Sequence, residues 1–368
     1  MTFLRQEIAP LALDPEMGER FSWDIWRKVA QFGLLGAFIS KEFGGLGLDL
    51  VSTVLAFEEV AKVNPGLALS VGAHNCFAGL TISEKGAKSQ KEKYLPKLAK
   101  GDWVGAGGWT EPNAGSDVHG IQTKAVRQKD GYVLNGTKTL ITNAPIADVA
   151  VILAVTNPTS RPPGQTTFVL EGDFRGFSRG EDLEKLGFGS SPTGELFFED
   201  CRVPLENRLG EENAGFTILT ETFERGRIGY GAICLGMARA CLELAVKRLR
   251  EKMSSGKSFI GLQAASFKVA DMKTNIEAAR LLIYRATWLK DRGESAEFEA
   301  SMAKLFSSEI SIQAAAETMR IYETHGLLRE NLVERYMRDS LLNTIGEGTS
   351  EIQRLIIARQ ILREEGPI

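Results

Sequence analysis

Two short stretches of the 368-residue chain hold side chains whose type and spacing could do chemistry. Near the C-terminus, GEGTSEIQRL sets Glu347 between Gly346 and Gly348, just ahead of a polar helix. A carboxylate in a first helical turn is stabilised by the positive end of the helix dipole. Glycine on both sides does more: it lets the backbone approach a neighbour and frees Glu347 to point away from its own helix. The stretch reads either as a loop before a capped helix or as a carboxylate aimed at a ligand. Upstream, GGWTEPNAGSDVHGIQTKA gathers Thr110, Glu111, Asn113, Gly115, Ser116 and Asp117 into one loop. Hydroxyls and open backbone amides at that density can wrap a polar planar ligand. They can equally form a turn cluster that caps a strand.

Composition excludes several other chemistries. Hydrophobic residues are 43% and charged residues 25%, ordinary values for a folded globular chain. The net charge of −3, with no basic stripe, argues against nucleic acid as a partner. Cys76, Cys201, Cys234 and Cys241 show no paired spacing, which suits a reducing compartment without a disulfide framework. The three histidines, His74, His119 and His325, lie far apart, so no metal site is expected. The first residues carry charges inside the apolar positions, unlike a signal-peptide core. No apolar run approaches the roughly 20 residues of a membrane span. IGYGAICLGMA, the most apolar stretch, reads as a closely packed buried helix. A soluble, cytoplasmic protein is expected, with no membrane partner.

The elements that must position these residues fall into three blocks. Residues 1–100 read as helices: WDIWRKVAQFGLLG repeats apolar residues at spacings of three and four, and Asp49 caps DLVSTVLAFEEVAKVNPG. Residues 101–210 change texture. Asp130-Gly131 and Asn135-Gly136 between β-prone segments predict hairpin turns, and DVAVILAVT, TTFVLEG and GELFFEDCRVP read as strands. A small β-barrel or sandwich is expected there. Residues 211–368 return to long helices with short Gly or Ser linkers, which suits an antiparallel four-helix bundle. The fold class is therefore α+β.

In this order, with TEPNAGSD, NGTKTLITN, RVPLENRLGEENAGF and GEGTSEIQRL in sequence, the chain resembles the acyl-CoA dehydrogenase family over nearly its whole length. The resemblance implies FAD as cofactor and an acyl-CoA, or an acyl carrier protein thioester, as substrate. It implies electron-transfer flavoprotein as electron acceptor and an oligomer, a dimer or tetramer of this chain or an assembly with a homologous one. It makes Glu347 the base that removes the α-proton, with its backbone N–H helping to hold the thioester oxygen. Thr110 and Ser116 match contacts to the pyrimidine end and phosphates of the flavin, Ser116 also lying toward substrate. Thr142 matches the residue facing flavin N5, and Thr349 a further cofactor contact. Glu224, Arg227, Gly346 and Gly348 match positions along the bound thioester. A base in an apolar tunnel would have its pKa raised toward the working range.

Departures from the family cluster in the segment that implies contact with the adenosine diphosphate half of a neighbouring subunit's FAD. Lys252 and Ser255 replace an Arg and a Phe, and Gln263 follows in the same segment. Arg320, Glu323 and Thr324 stand where a Gln and two glycines are usual. Lysine lacks the bidentate fork of arginine, and a carboxylate repels a diphosphate unless screened. FAD completed by a homologous chain is one expectation from this pattern. Leu140, Gly346 and Gly107 replace bulkier residues, which predicts an enlarged tunnel for a bulky or branched acyl group unless bulk comes from elsewhere. Gly226 takes the place of the base used by the isovaleryl-specific branch, leaving Glu347 as candidate. Two rival readings are an oxidase that reduces dioxygen and a degenerate subunit that binds thioesters without catalysis.

Overall fold

The computed structural model describes residues 2–12, 14, 17–256, 258 and 260–364, so the last residues of the third block, 365–368, lie outside the described residues. The Ser22 hydroxyl accepts the Ile25 N–H at 3.3 Å and starts α1 (Trp23–Gln31), which buries Ile25, Trp26 and Val29. Asp49 caps α2 (Leu50–Val63) by accepting the Ser52 N–H at 2.7 Å. Asn64 ends α2 and caps α3 (Pro65–Ala73), with Pro65 in the first turn, where its missing N–H leaves no bond unmade. The chain then runs through a π-helical stretch, His74–Leu80, into a last turn, Thr81–Lys85. Such widened turns re-aim side chains and recur at functional sites. Helix α4 (Lys88–Lys100) stops at Gly101, whose φ of 72° needs glycine.

One eight-stranded sheet follows, in the order β6-β7-β3-β2-β4-β5-β8, with β1 (Gly105–Gly108) parallel to β4 (Val149–Asn157). The others are β2 (Lys124–Arg127), β3 (Gly131–Thr142), β5 (Gly164–Glu171), β6 (Phe177–Arg179), β7 (Thr193–Pro204) and β8 (Arg208–Leu209). One face encloses Tyr132, Leu134, Ile152, Phe168, Leu196 and Phe198. The other, through Val149, Val151, Leu153 and Val169, packs on helical residues such as Ile82, Tyr94 and Leu98. Asp130-Gly131 turns between β2 and β3, the Gln128 N–H reaching the Gly131 carbonyl at 2.8 Å. Asn135-Gly136 does not turn. It lies inside β3, where the register against β7 slips between Leu134 and Gly136, and Gly136 takes a φ of 149°. Bulge and turn both call for a residue with positive φ, so the dipeptide alone does not separate them.

The chain ends in α5 (Gly215–Ser254), α6 (Gln263–Asp291), α7 (Glu297–Tyr322), α8 (Val333–Ser340) and α9 (Ser350–Glu364). Helix α5 packs on α2, α6 and α7, so the first and third blocks share one core. By length and composition α5 could cross a membrane, but 78% of its most apolar window is buried, which makes it a core helix. Small residues permit this: a Cβ on Gly236 would sit 2.3 Å from the Glu58 carbonyl oxygen of α2. Buried Glu58 is held by Arg239 at 2.8 Å and Arg280 at 2.9 Å, tying α2, α5 and α6 together.

Candidate active site

Glu347 sits in the turn ahead of α9 with φ of 58°, followed by Gly348 at 87°. A non-glycine residue in this left-handed region costs on the order of 1–3 kcal/mol, so neighbours must hold it there. They do. The Gln353 amide donates to the Glu347 and Gly348 carbonyls at 3.2 and 3.0 Å, and Lys304 Nζ donates to the Gly348 carbonyl at 2.8 Å. The Thr349 hydroxyl accepts the Ile352 N–H at 3.3 Å and caps α9. The φ of Gly348 favours glycine, and a Cβ there would push on the Gln353 amide, 2.7 Å away at Nε2. The turn aims the Glu347 carboxyl at α5: a Cβ on Gly226 would be 3.0 Å from Glu347 Oε2 and 3.3 Å from Phe77 Cε1. Oε2 is buried and makes no hydrogen bond among the described residues. Burial pushes the Glu347 pKa up to about 7, against the downward pull of Lys304 and Arg227. A carboxyl poised there can take a proton from a weak carbon acid at neutral pH.

The second cluster is built around a buried ion pair. Glu111 accepts the Gln122 and Thr123 N–H groups at 2.6 and 3.0 Å and Lys138 Nζ at 2.7 Å. Lys138 is fully buried and also donates to the Trp109 carbonyl at 3.2 Å. Burial would raise the Glu111 pKa, but the Lys138 ammonium and these donors hold it below the usual range. This frame fixes the loop that carries Thr110 and Ser116, Thr110 half-buried and Ser116 exposed. Thr142 closes β3 opposite Thr193. The next residue, buried Asn143, anchors that strand end by donating to the Ser70 and Gly105 carbonyls at 3.0 and 3.1 Å. Leu140, at φ 57°, is 64% exposed beside it. The two clusters meet through aromatic rings: Phe77 lies edge-on to Trp109 at 6.1 Å and to Phe223 at 6.4 Å.

Models of the acyl-CoA dehydrogenase N-terminal, middle and C-terminal domains match residues 1–102, 106–201 and 213–362. The chain belongs to the acyl-CoA dehydrogenase family. The short-chain specific acyl-CoA dehydrogenase of Clostridium acetobutylicum is 40% identical over 361 residues, spanning 98% of this chain and 95% of that protein. Subunit CarC of the caffeyl-CoA reductase-Etf complex of Acetobacterium woodii is 39% identical over 364 residues, 98% of this chain and 96% of CarC. The solved butyryl-CoA dehydrogenase of Megasphaera elsdenii has a TM-score of 0.94 at 37% identity, covering 98% and 96% of the two chains. The chain is an FAD-dependent oxidoreductase of this family.

The residues fit the flavin end of FAD. An exposed apolar side chain at Leu140 stands next to Thr142, and no neighbour among the described residues engages the hydroxyls of Thr110, Ser116 or Thr142. Arg227, beside Gly226, is buried with Nε and Nη1 unpartnered. Burial lowers its pKa against the pull of Glu297, Glu347 and Glu224. Glu224 is already engaged by Lys290 of α6. At two of the three positions with small side chains, neighbouring residues fill the space. A Cβ on Gly107 would meet Phe77 Cβ at 2.6 Å and Trp109 at 3.0 Å, and one on Gly346 would meet the Tyr230 hydroxyl at 3.3 Å. Bulk absent at those two positions is supplied by Phe77, Trp109 and Tyr230.

The structure does not bring Lys252, Gln263 and Arg320 to Glu347. Lys252 lies 25 residues beyond Arg227 on α5, about 37 Å along its axis. The two unusual charges there answer each other: Lys252 Nζ donates to Glu323 at 2.7 Å and to the Ile321 carbonyl at 3.2 Å. Arg320 pairs with Glu317, and Gln263 is exposed at the start of α6. Sequence reasoning missed Lys304, Gln353, Tyr230, Phe77 and the Glu111–Lys138 pair. For Lys304 a signal existed, a single lysine on a helix face otherwise made of Ala300, Ala303, Ser307 and Ser311, all buried.

Proposed function

We propose that Glu347 takes the α-proton of an acyl-CoA thioester and that the electrons pass on to an electron-transfer flavoprotein. The observation that carries this reading is the buried, unpartnered Glu347 Oε2, held by a left-handed turn against Gly226. FAD, when bound, supplies the acceptor for the β-hydride. The protein's own residues do the rest. Gly226 leaves room for the acyl chain where a side chain would meet the carboxyl. The Glu347 N–H, which has no backbone acceptor among the described residues, is free to bind the thioester oxygen as the α-carbon loses its proton. Arg227 offers buried, unpartnered donors beside the base. Thr110, Ser116, Thr142 and Thr349 hold the cofactor, and Phe77, Trp109 and Phe223 wall the acyl end and favour a short acyl group. Lys252, Gln263 and Arg320 serve a cofactor in a neighbouring subunit, whether a copy of this chain or a homologue. Exposed Phe267, Leu281 and Trp288 on α6 offer a surface for that subunit. Four free, buried cysteines support a cytoplasmic location.

The test is anaerobic mixing of the purified protein with saturated acyl-CoA thioesters of increasing length, followed through the flavin absorbance. Bleaching with short thioesters, with slow reoxidation in air and fast reoxidation by electron-transfer flavoprotein, is the expected result. Reoxidation in air at the rate of turnover would replace the dehydrogenase by an oxidase. Flavin that no thioester bleaches would refute the activity.

A further inference from the structure

Lys304 poses an electrostatic problem. Its side chain is fully buried on α7, makes no ion pair among the described residues, and donates only to the neutral Gly348 carbonyl at 2.8 Å. A neutral donor could satisfy that oxygen, whereas an isolated buried ammonium costs several kcal/mol. A counter-charge must be near, and the surrounding groups can be sorted. The Cys76 and Cys234 thiols are both pushed by burial up to about 12, so they stay neutral. The Tyr230 ring lies 5.9 Å from Nζ, and burial keeps its hydroxyl protonated. Glu309 is paired with Arg354 at 2.5 Å and Glu224 with Lys290, while Glu351, which also feels Lys304, is exposed to water at the start of α9. Arg227 is a like charge, drawn on by Glu297 and Glu224 as well. Glu347 remains, one residue before the carbonyl that Lys304 holds.

We propose that Lys304 is a positioning residue for the base: it pins the left-handed Glu347-Gly348 turn through the Gly348 carbonyl and supplies the counter-charge that the Glu347 carboxylate needs. This rests on Glu347 being the base. The directions of titration agree: Lys304 and Arg227 both draw the Glu347 pKa down against burial, and burial lowers the Lys304 pKa while Glu347 opposes that fall. Arg227 acts from α5 and Lys304 from α7, so the carboxyl lies between cations on two helices. Removing one leaves the acid form more stable and moves the working range to higher pH.

The experiment is the pH dependence of flavin reduction by acyl-CoA in the wild type, Lys304→Met, Lys304→Gln and Lys304→Arg. A non-reacting thioether analogue of the substrate is bound to each in parallel. In Lys304→Met the acid limb should move up by about one pH unit, with about a fivefold loss of rate at pH 7. Affinity for the analogue should change less than about threefold, and Lys304→Arg should return the limb toward its wild-type position. Lys304→Gln, which keeps a donor without the charge, must show the shifted limb even where the Met variant does not fold. A wild-type limb in Lys304→Gln, or equal losses in the Gln and Arg variants, would overturn the proposal. Glu347→Gln separates the two layers. If that variant reduces flavin normally the base assignment fails, whereas a dead Glu347→Gln beside a wild-type limb in Lys304→Gln sinks only the role of Lys304.

Discussion

Relative to wild type, a chain without the Glu347 charge should gain stability as pH rises. In the folded chain burial lifts this carboxyl from an ordinary 4.5 to about 7. At about 1.4 kcal/mol for each step of one in pKa, the difference amounts to about 3 kcal/mol. The sign follows from linkage. The native state holds the proton more tightly than the unfolded chain, so stability falls as pH rises from the unfolded value through the folded one. Below pH 4.5 the penalty is absent, and above about pH 7 it is complete. Glu347→Gln keeps the shape and never ionises. The stability of the variant relative to wild type should therefore rise by about 3 kcal/mol between pH 5 and pH 8.5, a few degrees in Tm for a chain of this size. Thermal or urea midpoints of both proteins across that range measure it. A difference that stays flat with pH, or shrinks as pH rises, would refute the idea that the carboxyl is held in a desolvated site.

Lys138→Met leaves Glu111 buried without its cation and should destabilise the protein by roughly 3–5 kcal/mol, with loss of bound flavin; unfolding midpoints and the absorbance ratio of flavin to protein report both. Gly226→Ala places a methyl 3.0 Å from Glu347 Oε2 and 3.3 Å from Phe77, so flavin reduction should slow at least tenfold while the far-ultraviolet circular dichroism stays unchanged. Phe77→Ala opens the acyl end, and the thioester reduced fastest should become longer, at a stability cost of about 3 kcal/mol read from the same midpoints. Glu323→Gly frees Lys252 from its 2.7 Å partner. With that lysine free to meet a phosphate, the variant should release FAD more slowly on dilution.

Much of this was legible in the chain itself, for reasons that can be named. The helices announce themselves through period and caps, and Asp49 and Asp130-Gly131 act as their chemistry requires. Asn135-Gly136 misleads because a bulge and a turn ask the same backbone freedom of glycine. Glu347 stands out because two glycines isolate it, and its burial against α5 agrees with the role that the resemblance implies. What was hidden depends on partners far away in the sequence. Lys304 meets Gly348 across 44 residues, and Lys252 meets Glu323 across 71. Either residue read alone suggests something else, a solvated lysine in one case and a repelled diphosphate in the other. Phe77 was invisible for a different reason: only the π-helical stretch around it brings its ring to Gly226.

The most direct measurement is rapid anaerobic mixing of wild type and Glu347→Gln with a thioester that bleaches the wild-type flavin, with thioester binding monitored in the same samples. The variant should bind the thioester with affinity within about tenfold of wild type and reduce flavin at least a thousandfold more slowly, a loss of about 4 kcal/mol in transition-state stabilisation. Flavin bleached by the variant at the wild-type rate would show that another group takes the proton, and the reading of Glu347 as the base would be wrong.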